Sequence, residues 1–231
     1  DQEGLGQGQV RYETFPLGDS SGSTRQSGCD YPDIDEPSVL TYDAYAPHIA
    51  EGIDIGARNE LLCLSSDDNG GTDLVQSNTA IIHAIALTAP DAAMLAYDEA
   101  SVIWSPRSNV DLYGNTAQVT VLASEGVNIA LGTDWTPSGS MNVLRELACA
   151  DYLNSTHFGS WFGDWQLLQL ATSGAARATS VDDATGSLAV GLAGDVAVFD
   201  GRALPSRPFR ALLDATPGEV HLVLRGGDVL Y

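Results

Sequence analysis

Short apolar runs alternate with segments of helical periodicity along most of the chain. Strands are predicted for residues 10–17, 44–51, 78–87, 100–105 and 128–131. Helices are predicted for residues 57–64, 88–97, 118–125, 141–153 and 164–172. A strand followed by a helix about every 25 to 30 residues is typical of a parallel α/β fold.

The number of predicted strands indicates an incomplete barrel. An eight-stranded α/β barrel typically needs about 250 residues, whereas the five predicted strands end by residue 131. From Gly186 onward the pattern changes to short alternating strands with Gly turns, joined by a Pro-rich link without a helix. We therefore predict an α/β domain over residues 1–180 and a small β unit over residues 181–231.

Composition excludes several classes of function. The net charge is −21, with 10 Lys and Arg residues that are all Arg. Such a surface repels a phosphate backbone, so nucleic acid is not expected as a partner. Without Lys there is no Schiff-base chemistry and no carbamylated lysine.

No apolar run approaches the roughly 20 residues of a membrane span. The acidic, Lys-free composition leans toward an exported protein, but localisation is open.

The three cysteines are widely spaced and form no Cys-x-x-Cys pair. Cys63 and Cys149 lie in apolar, helix-like surroundings and are expected to be small core residues. Cys29 lies in a polar loop and could pair with another cysteine.

Two histidines and two carboxylates lie within or just after the predicted strands. His48 and His83 belong to neighbouring strands, Glu51 follows His48 by three residues, and Asp134 comes where the last apolar run stops. Parallel strands present their carboxyl ends at one face, so these side chains are expected to converge. Imidazole and carboxylate are zinc and iron ligands, and a second carboxylate can move a proton.

Simpler interpretations exist for each of these residues. A strand histidine is often a core residue, and an Asp after Gly-Thr often caps a turn. The two other histidines are expected to be peripheral: His157 in a surface loop, and His221 facing outward from a strand.

Six motifs, in this order, carry a family resemblance. They are HIAEG from His48, IIHAIAL around His83, WSPRSNVDLYG from Trp104, IALGTDWTPSG from Ile129, ATSGAARAT from Ala171 and GSLAVGLAGDVAVFD from Gly186. Together they resemble the metal-dependent amidohydrolase superfamily, on its cytosine/guanine deaminase and chlorohydrolase side. The resemblance extends over nearly the whole chain from about Val10.

The resemblance implies a fold and a set of roles. The fold would be a TIM-like (β/α)8 barrel, here strands four to eight only, with part of a small β-sandwich. By position, His48 would bind the metal, Glu51 would shuttle a proton and His83 would contact the substrate or the attacking water. Asp134 would bind the metal and help to activate the water. Asn109, in the PRSN motif, is interpreted as structural.

The implied cofactor is one divalent metal, zinc first and iron second. The lack of Lys agrees with the one-metal type, because the two-metal types often use a lysine of strand four, where this chain offers only Glu13. One departure matters more. The family's first strand carries a His-x-His pair of metal ligands, and the sequence contains no His-x-His. A smaller departure is Ala84, where Gly is common.

The missing pair leaves three interpretations. The chain is a piece of a longer or cleaved protein, or a partner supplies the missing N-terminal segment, or the chain is not active alone. The first two predict a hydrolase that acts on non-peptide carbon–nitrogen bonds of a small molecule. The third predicts a binding or structural partner. A homo-oligomer is also compatible with the sequence. Residues 18–37 and 135–141 are expected to shape the pocket.

Overall fold

The main sheet has five parallel strands, arranged in the order in which they occur in the chain. A computed structural model describes residues 9–32 and 37–231, so residues 1–8 of the predicted α/β domain and 33–36 of the predicted pocket loop lie outside the described residues. The strands are β1 (Val10–Glu13), β2 (Ala44–Ile49), β3 (Ala80–His83), β4 (Ser101–Trp104) and β5 (Asn128–Leu131).

All five predicted strands are confirmed, but only β5 has its predicted bounds, and β1 and β3 are the most shortened. β1 ends at Glu13, because the chain then enters a 3-10 turn in which Leu17 has a φ of 49°. β3 ends at His83, where φ is 74°. A left-handed residue cannot continue the extended ladder, so apolar composition alone overestimates both strands.

Seven helices accompany this sheet in the described part of the chain. They are α1 (Ile55–Leu64), α2 (Ala89–Tyr97), α3 (Pro106–Tyr113), α4 (Val119–Glu125), α5 (Val143–Thr156), α6 (Asp164–Leu170) and α7 (Ser173–Ala178). The helices α3 and α7 were not predicted. Both are short and lie inside motifs rich in Ser, Gly or Pro, which obscure the helical period.

Local capping signals mark the helix ends correctly. Thr88 and Asp91 form a reciprocal capping box at the start of α2. Asp91 also receives a bidentate pair of hydrogen bonds from Arg58 of α1, at 2.8 and 2.9 Å, so the cap links two helices. Gly126 ends α4 with a φ of 89°, as predicted.

The larger of two apolar clusters in the described residues lies between the sheet and its helices. Its largest fully buried side chains include Trp104, Tyr45, Ile49, Leu61 and Ile81. Strands buried on both faces are the normal state of a parallel sheet, which explains why β3, β4 and β5 are mostly apolar.

The last part of the chain forms a separate antiparallel sheet. It contains β6 (Val196–Phe199), β7 (Val220–Arg225) and β8 (Asp228–Val229). The prediction of no helix between these strands is wrong, because α8 (Pro208–Leu213) lies between β6 and β7. Pro208 opens α8, which is how a Pro-rich link can start a helix.

The helix α8 is held against the α/β part by ion pairs. The Arg210 guanidinium donates hydrogen bonds to Asp151 of α5 and Asp164 of α6. These contacts fix the region before β7 to the helices around the main sheet.

Cys63 is fully buried in the core, as expected, but it is not a free thiol. Cys63 of α1 forms a disulfide with Cys29, across a sequence separation of 34 residues. Asn59, one turn earlier in α1, donates to the Gly28 carbonyl oxygen at 2.9 Å. The spacing of the cysteines gave no sign of the pairing, because the loop that carries Cys29 reaches α1 only in the folded chain. Cys149 is free and partly buried.

Within residues 9–32 and 37–231, none of the helices has the length and apolarity needed to cross a bilayer.

We predict that Cys29→Ser lowers the free energy of unfolding by about 2–4 kcal/mol, because an open loop gains entropy in the unfolded chain. Urea unfolding under non-reducing conditions measures the change. Cys149→Ser is the matched control and should cost less than about 1 kcal/mol. Thiol titration of the unfolded, unreduced protein should find a single thiol. Three thiols would contradict the disulfide.

Candidate metal centre

Three strand ends deliver ligand atoms to one place. His48 is the second-last residue of β2, His83 is the last residue of β3, and Asp134 lies three residues after β5. One ligand atom from each of the three lies within 4.8 Å of the others. The convergence that the sequence predicted for these residues is therefore present in the fold.

Glu51 lies beside this cluster. Its Oε1 is 3.6 Å from Nε2 of His83, and its side chain is 20% exposed. The two imidazole rings lie with their centroids 5.0 Å apart. The site therefore combines two imidazoles with two carboxylates, and both carboxylates are partly exposed.

The hydrogen bond of His48 fixes its tautomer. Nδ1 contacts the backbone carbonyl oxygen of Glu13, which can only accept, so Nδ1 carries the proton. The lone pair of Nε2 is then available to a metal. Burial, followed by the proximity of His83, lowers the pKa of His48, and the neutral form that results is the form that binds metals.

His83 is held in the same way by a side chain. Its Nδ1 lies 3.0 Å from Oδ1 of Asn109. The Asn109 amide nitrogen points the other way, to Oγ1 of Thr116 at 3.4 Å. Oδ1 therefore faces the imidazole and accepts a hydrogen bond from Nδ1–H of His83. Both His83 and Asn109 are buried. Asn109 is therefore structural in a specific sense: it orients a residue of the site.

Two serines hold Asp134. Ser108 of α3 donates a short hydrogen bond to Oδ2 of Asp134, and its Oγ lies 2.9 Å from Oγ of Ser138. Both serines are buried. Ser108 was not predicted as a site residue, and Ser138 was covered only by residues 135–141, which were expected to shape the pocket. Their position beside Asn109 in the PRSN motif and in the turn after Asp134 was the available signal.

Comparison with known proteins identifies the family. Residues 53–230 match the Amidohydrolase family. The chain belongs to the amidohydrolase family. This confirms the resemblance that the six sequence motifs carry, and a hydrolase of amidohydrolase type agrees with the cluster of imidazoles and carboxylates at the strand ends.

Relatives in sequence are deaminases. The chain is 33% identical over 133 residues to a 5-methylthioadenosine/S-adenosylhomocysteine deaminase of Teredinibacter turnerae, covering 56% of this chain and 30% of the relative. It is 29% identical over 169 residues to the deaminase of that name in Nitratidesulfovibrio vulgaris, covering 70% and 38%. The chain thus spans about a third of the length of these relatives.

Solved structures share the fold of this amidohydrolase. Guanine deaminase of E. coli superposes with a TM-score of 0.71 at 18% identity, over 90% of this chain and 52% of that chain. An adenosine deaminase from Xanthomonas campestris with bound zinc gives 0.68 at 24% identity, over 80% and 45%. Both confirm an α/β fold of the amidohydrolase type.

Left-handed backbone conformations occur at the strand ends around the cluster. The φ angles are 74° at His83, 52° at Asp134 and 57° at Ala50. Each such residue costs of order 1–3 kcal/mol and persists only where its surroundings hold it. At each position the chain turns sharply at or just after a strand end, which aims the side chain into the site.

Glu60 supports the turn between His48 and Glu51. Its Oε2 accepts a hydrogen bond from the Ala50 amide at 2.8 Å, while the Ala50 carbonyl oxygen accepts from the Ile85 amide at 3.0 Å. Glu60 is buried in α1. Burial raises the pKa of Glu60 to about 8, although the hydrogen bond from Ala50 favours the charged form.

We predict that Glu60 makes stability fall as pH rises. Its ordinary pKa is 4.5, so between pH 5 and 8 the folded state holds a proton that the unfolded state has lost. The free energy of unfolding then falls with increasing pH, by at most about 1.4 kcal/mol per unit.

Urea unfolding across this pH range tests the prediction. Glu60→Gln should remove the decline, because the amide mimics the protonated carboxyl and does not titrate. Glu125→Gln changes an exposed carboxyl and should leave the decline intact. If the free energies of unfolding of wild type and Glu60→Gln change with pH in the same way from pH 5 to 8, Glu60 is charged in the folded state.

Proposed function

We propose that this chain forms part of a metal-dependent hydrolase that acts on a carbon–nitrogen bond of a small molecule, of the deaminase type. The observation that carries the proposal is the cluster of His48, His83 and Asp134 with Glu51 beside it. The relatives named as deaminases of methylthioadenosine, S-adenosylhomocysteine and guanine support an amine on a nitrogen heterocycle as the substrate class.

The donor set fits one divalent metal, with zinc before iron. His48 presents a neutral Nε2 and Asp134 presents a carboxylate, and both are ordinary zinc ligands. The hydrogen bonds behind them, to Glu13 and from Ser108, are of the kind that orients metal ligands. When bound, the metal would lower the pKa of a coordinated water toward about 7.

The side chains of the chain would then move protons. Asp134 would accept a proton from the attacking water, and its contact with Ser108 would hold it in place. His83 would polarise the substituent on the reacting carbon. Glu51, which is partly open to solvent, would take up a proton released by the attacking water and transfer it to the leaving amine as the carbon–nitrogen bond breaks.

A matched set of variants tests the ligand assignment. In the complete protein we expect one zinc. His48→Ala and Asp134→Asn should each weaken zinc binding by more than about 100-fold, because even loss of a supporting hydrogen bond costs 10- to 100-fold. Asn tolerates the left-handed backbone, so Asp134→Asn should stay folded. Metal analysis after dialysis and circular dichroism provide the measurements.

His157→Gln is the control, because His157 is exposed at the end of α5. It should keep full zinc. If His48→Ala and Asp134→Asn also keep full zinc and full hydrolysis of ring amines, the site assignment is wrong.

We further propose that the parallel sheet is the second part of a barrel, strands four to eight, over residues 1–180, with residues 181–231 as part of a β-sandwich. The two outer strands support this. A cavity of about 310 Å³ lies beside β5 and is lined by Asn128 and Ile129. Another of about 550 Å³ lies beside β1 and is lined by Val10 to Phe15. Strands one to three, the first of which would carry the His-x-His pair, would bind at these edges.

Hydrogen exchange of backbone amides tests whether an N-terminal segment binds at the outer strands β1 and β5. In the complete protein, or in a complex with the N-terminal segment, amides of β1 and β5 should exchange at least about 10-fold more slowly than in the chain alone, because paired edges are protected. Amides of the central strand β3 serve as the internal control. Unchanged exchange at both outer strands would contradict the proposal, as would protection by a second copy of the chain.

The alternative is a binding or structural protein without catalysis. The lack of a His-x-His pair in the sequence favours it, because the described site then offers fewer ligands than the family uses. The zinc content of the complete protein separates the two functions.

The disulfide between Cys29 and Cys63 supports an exported protein, since such bonds persist mainly in oxidising compartments.

A further inference from the structure

We propose that Tyr113 is a positioning residue that holds Glu51 for proton transfer. The proposal rests on the proposed function of the site. Tyr113 is the last residue of α3, and its hydroxyl donates a hydrogen bond to Oε1 of Glu51 at 3.0 Å. The same oxygen lies 3.6 Å from Nε2 of His83. Tyr113 thus contacts the carboxylate at the oxygen that faces the imidazole.

The helix α3 supports three residues of the site at once. Ser108 contacts Asp134, Asn109 contacts His83, and Tyr113 contacts Glu51. At 100° per residue these three positions lie within about 140° of one another around the helix, so they share one face. A single helix face therefore orients side chains that come from three different strands.

Neighbouring contacts hold α3 in place. At its start, the Arg107 amide donates to Oε1 of the buried Glu146 at 2.9 Å. After its end, Thr116 accepts from Nε1 of the buried Trp104 at 2.7 Å. Gly114 stops the helix directly after Tyr113 with a left-handed φ of 63°. The Tyr113 hydroxyl is therefore presented from a fixed backbone.

The hydroxyl is suited to this role because it remains a donor. Burial and the nearby Glu51 carboxylate raise the pKa of Tyr113 above its ordinary value. Glu51 is partly exposed, so without the hydroxyl its carboxylate is free to turn toward water. A Tyr113 that only filled space would give the same fold without any coupling to Glu51.

A double-mutant cycle in the complete protein distinguishes the two roles. The variants are Tyr113→Phe, Glu51→Asp and the pair together, with hydrolysis of ring amines and thermal unfolding as readouts. Asp is one methylene shorter, so its carboxylate is drawn away from the hydroxyl. We expect Tyr113→Phe to lower kcat about 10-fold with KM changed less than about twofold. In the Glu51→Asp background it should change kcat less than about twofold.

Tyr97→Phe is the matched control, because Tyr97 is 88% exposed, and it should leave kcat unchanged. Unchanged kcat in Tyr113→Phe, or effects of the two substitutions that simply multiply, would overturn the proposal.

The unfolding cycle separates this proposal from the proposed function. If wild type hydrolyses no ring amine or amide, the proposed function fails, and the contact is judged by whether the two substitutions couple in thermal unfolding. Additive shifts in melting temperature would overturn the positioning role, whether or not the protein is a hydrolase.

Discussion

The parallel register between β2 and β3 is the constraint on which the site depends. It pairs His48 with Ile82 and Ile49 with His83, so the two imidazoles end neighbouring strands at the same level. Because all five strands run in one direction, their carboxyl ends meet at one face. Left-handed residues at these ends then turn the side chains inward. Without the shared direction, the same residues would lie at opposite edges of the sheet.

A buried polar layer behind the cluster completes its geometry. The Glu13 carbonyl oxygen binds Nδ1 of His48, and Asn109 binds Nδ1 of His83. Ser108 donates a hydrogen bond to one carboxylate oxygen of Asp134. In a low-dielectric interior such bonds fix tautomers and rotamers, because an unpaired polar atom is costly there. This layer comes from β1 and α3, so elements that supply no proposed metal ligand decide how the side chains of the site point.

The proposed partner segment concerns both the sheet and the site. The chain spans about a third of its relatives' length, and its sheet has outer strands that border cavities. Parallel sheets are normally covered on both faces, and closed barrels leave no unpaired outer strands. The proposed partner segment would therefore complete both the sheet and the set of metal ligands.

The sequence by itself determined the alternation of strands and helices, the bounds of the helices predicted for residues 88–97 and 118–125, and the convergence of His48, His83 and Asp134. These follow from local periodicity and from the shared direction of parallel strands. Only the tertiary structure decided the disulfide of Cys63, the support from Ser108 and Tyr113, and the helix α8. These depend on contacts between segments 26 to 62 residues apart, or on short polar helices, and neither leaves a periodic signal in the chain.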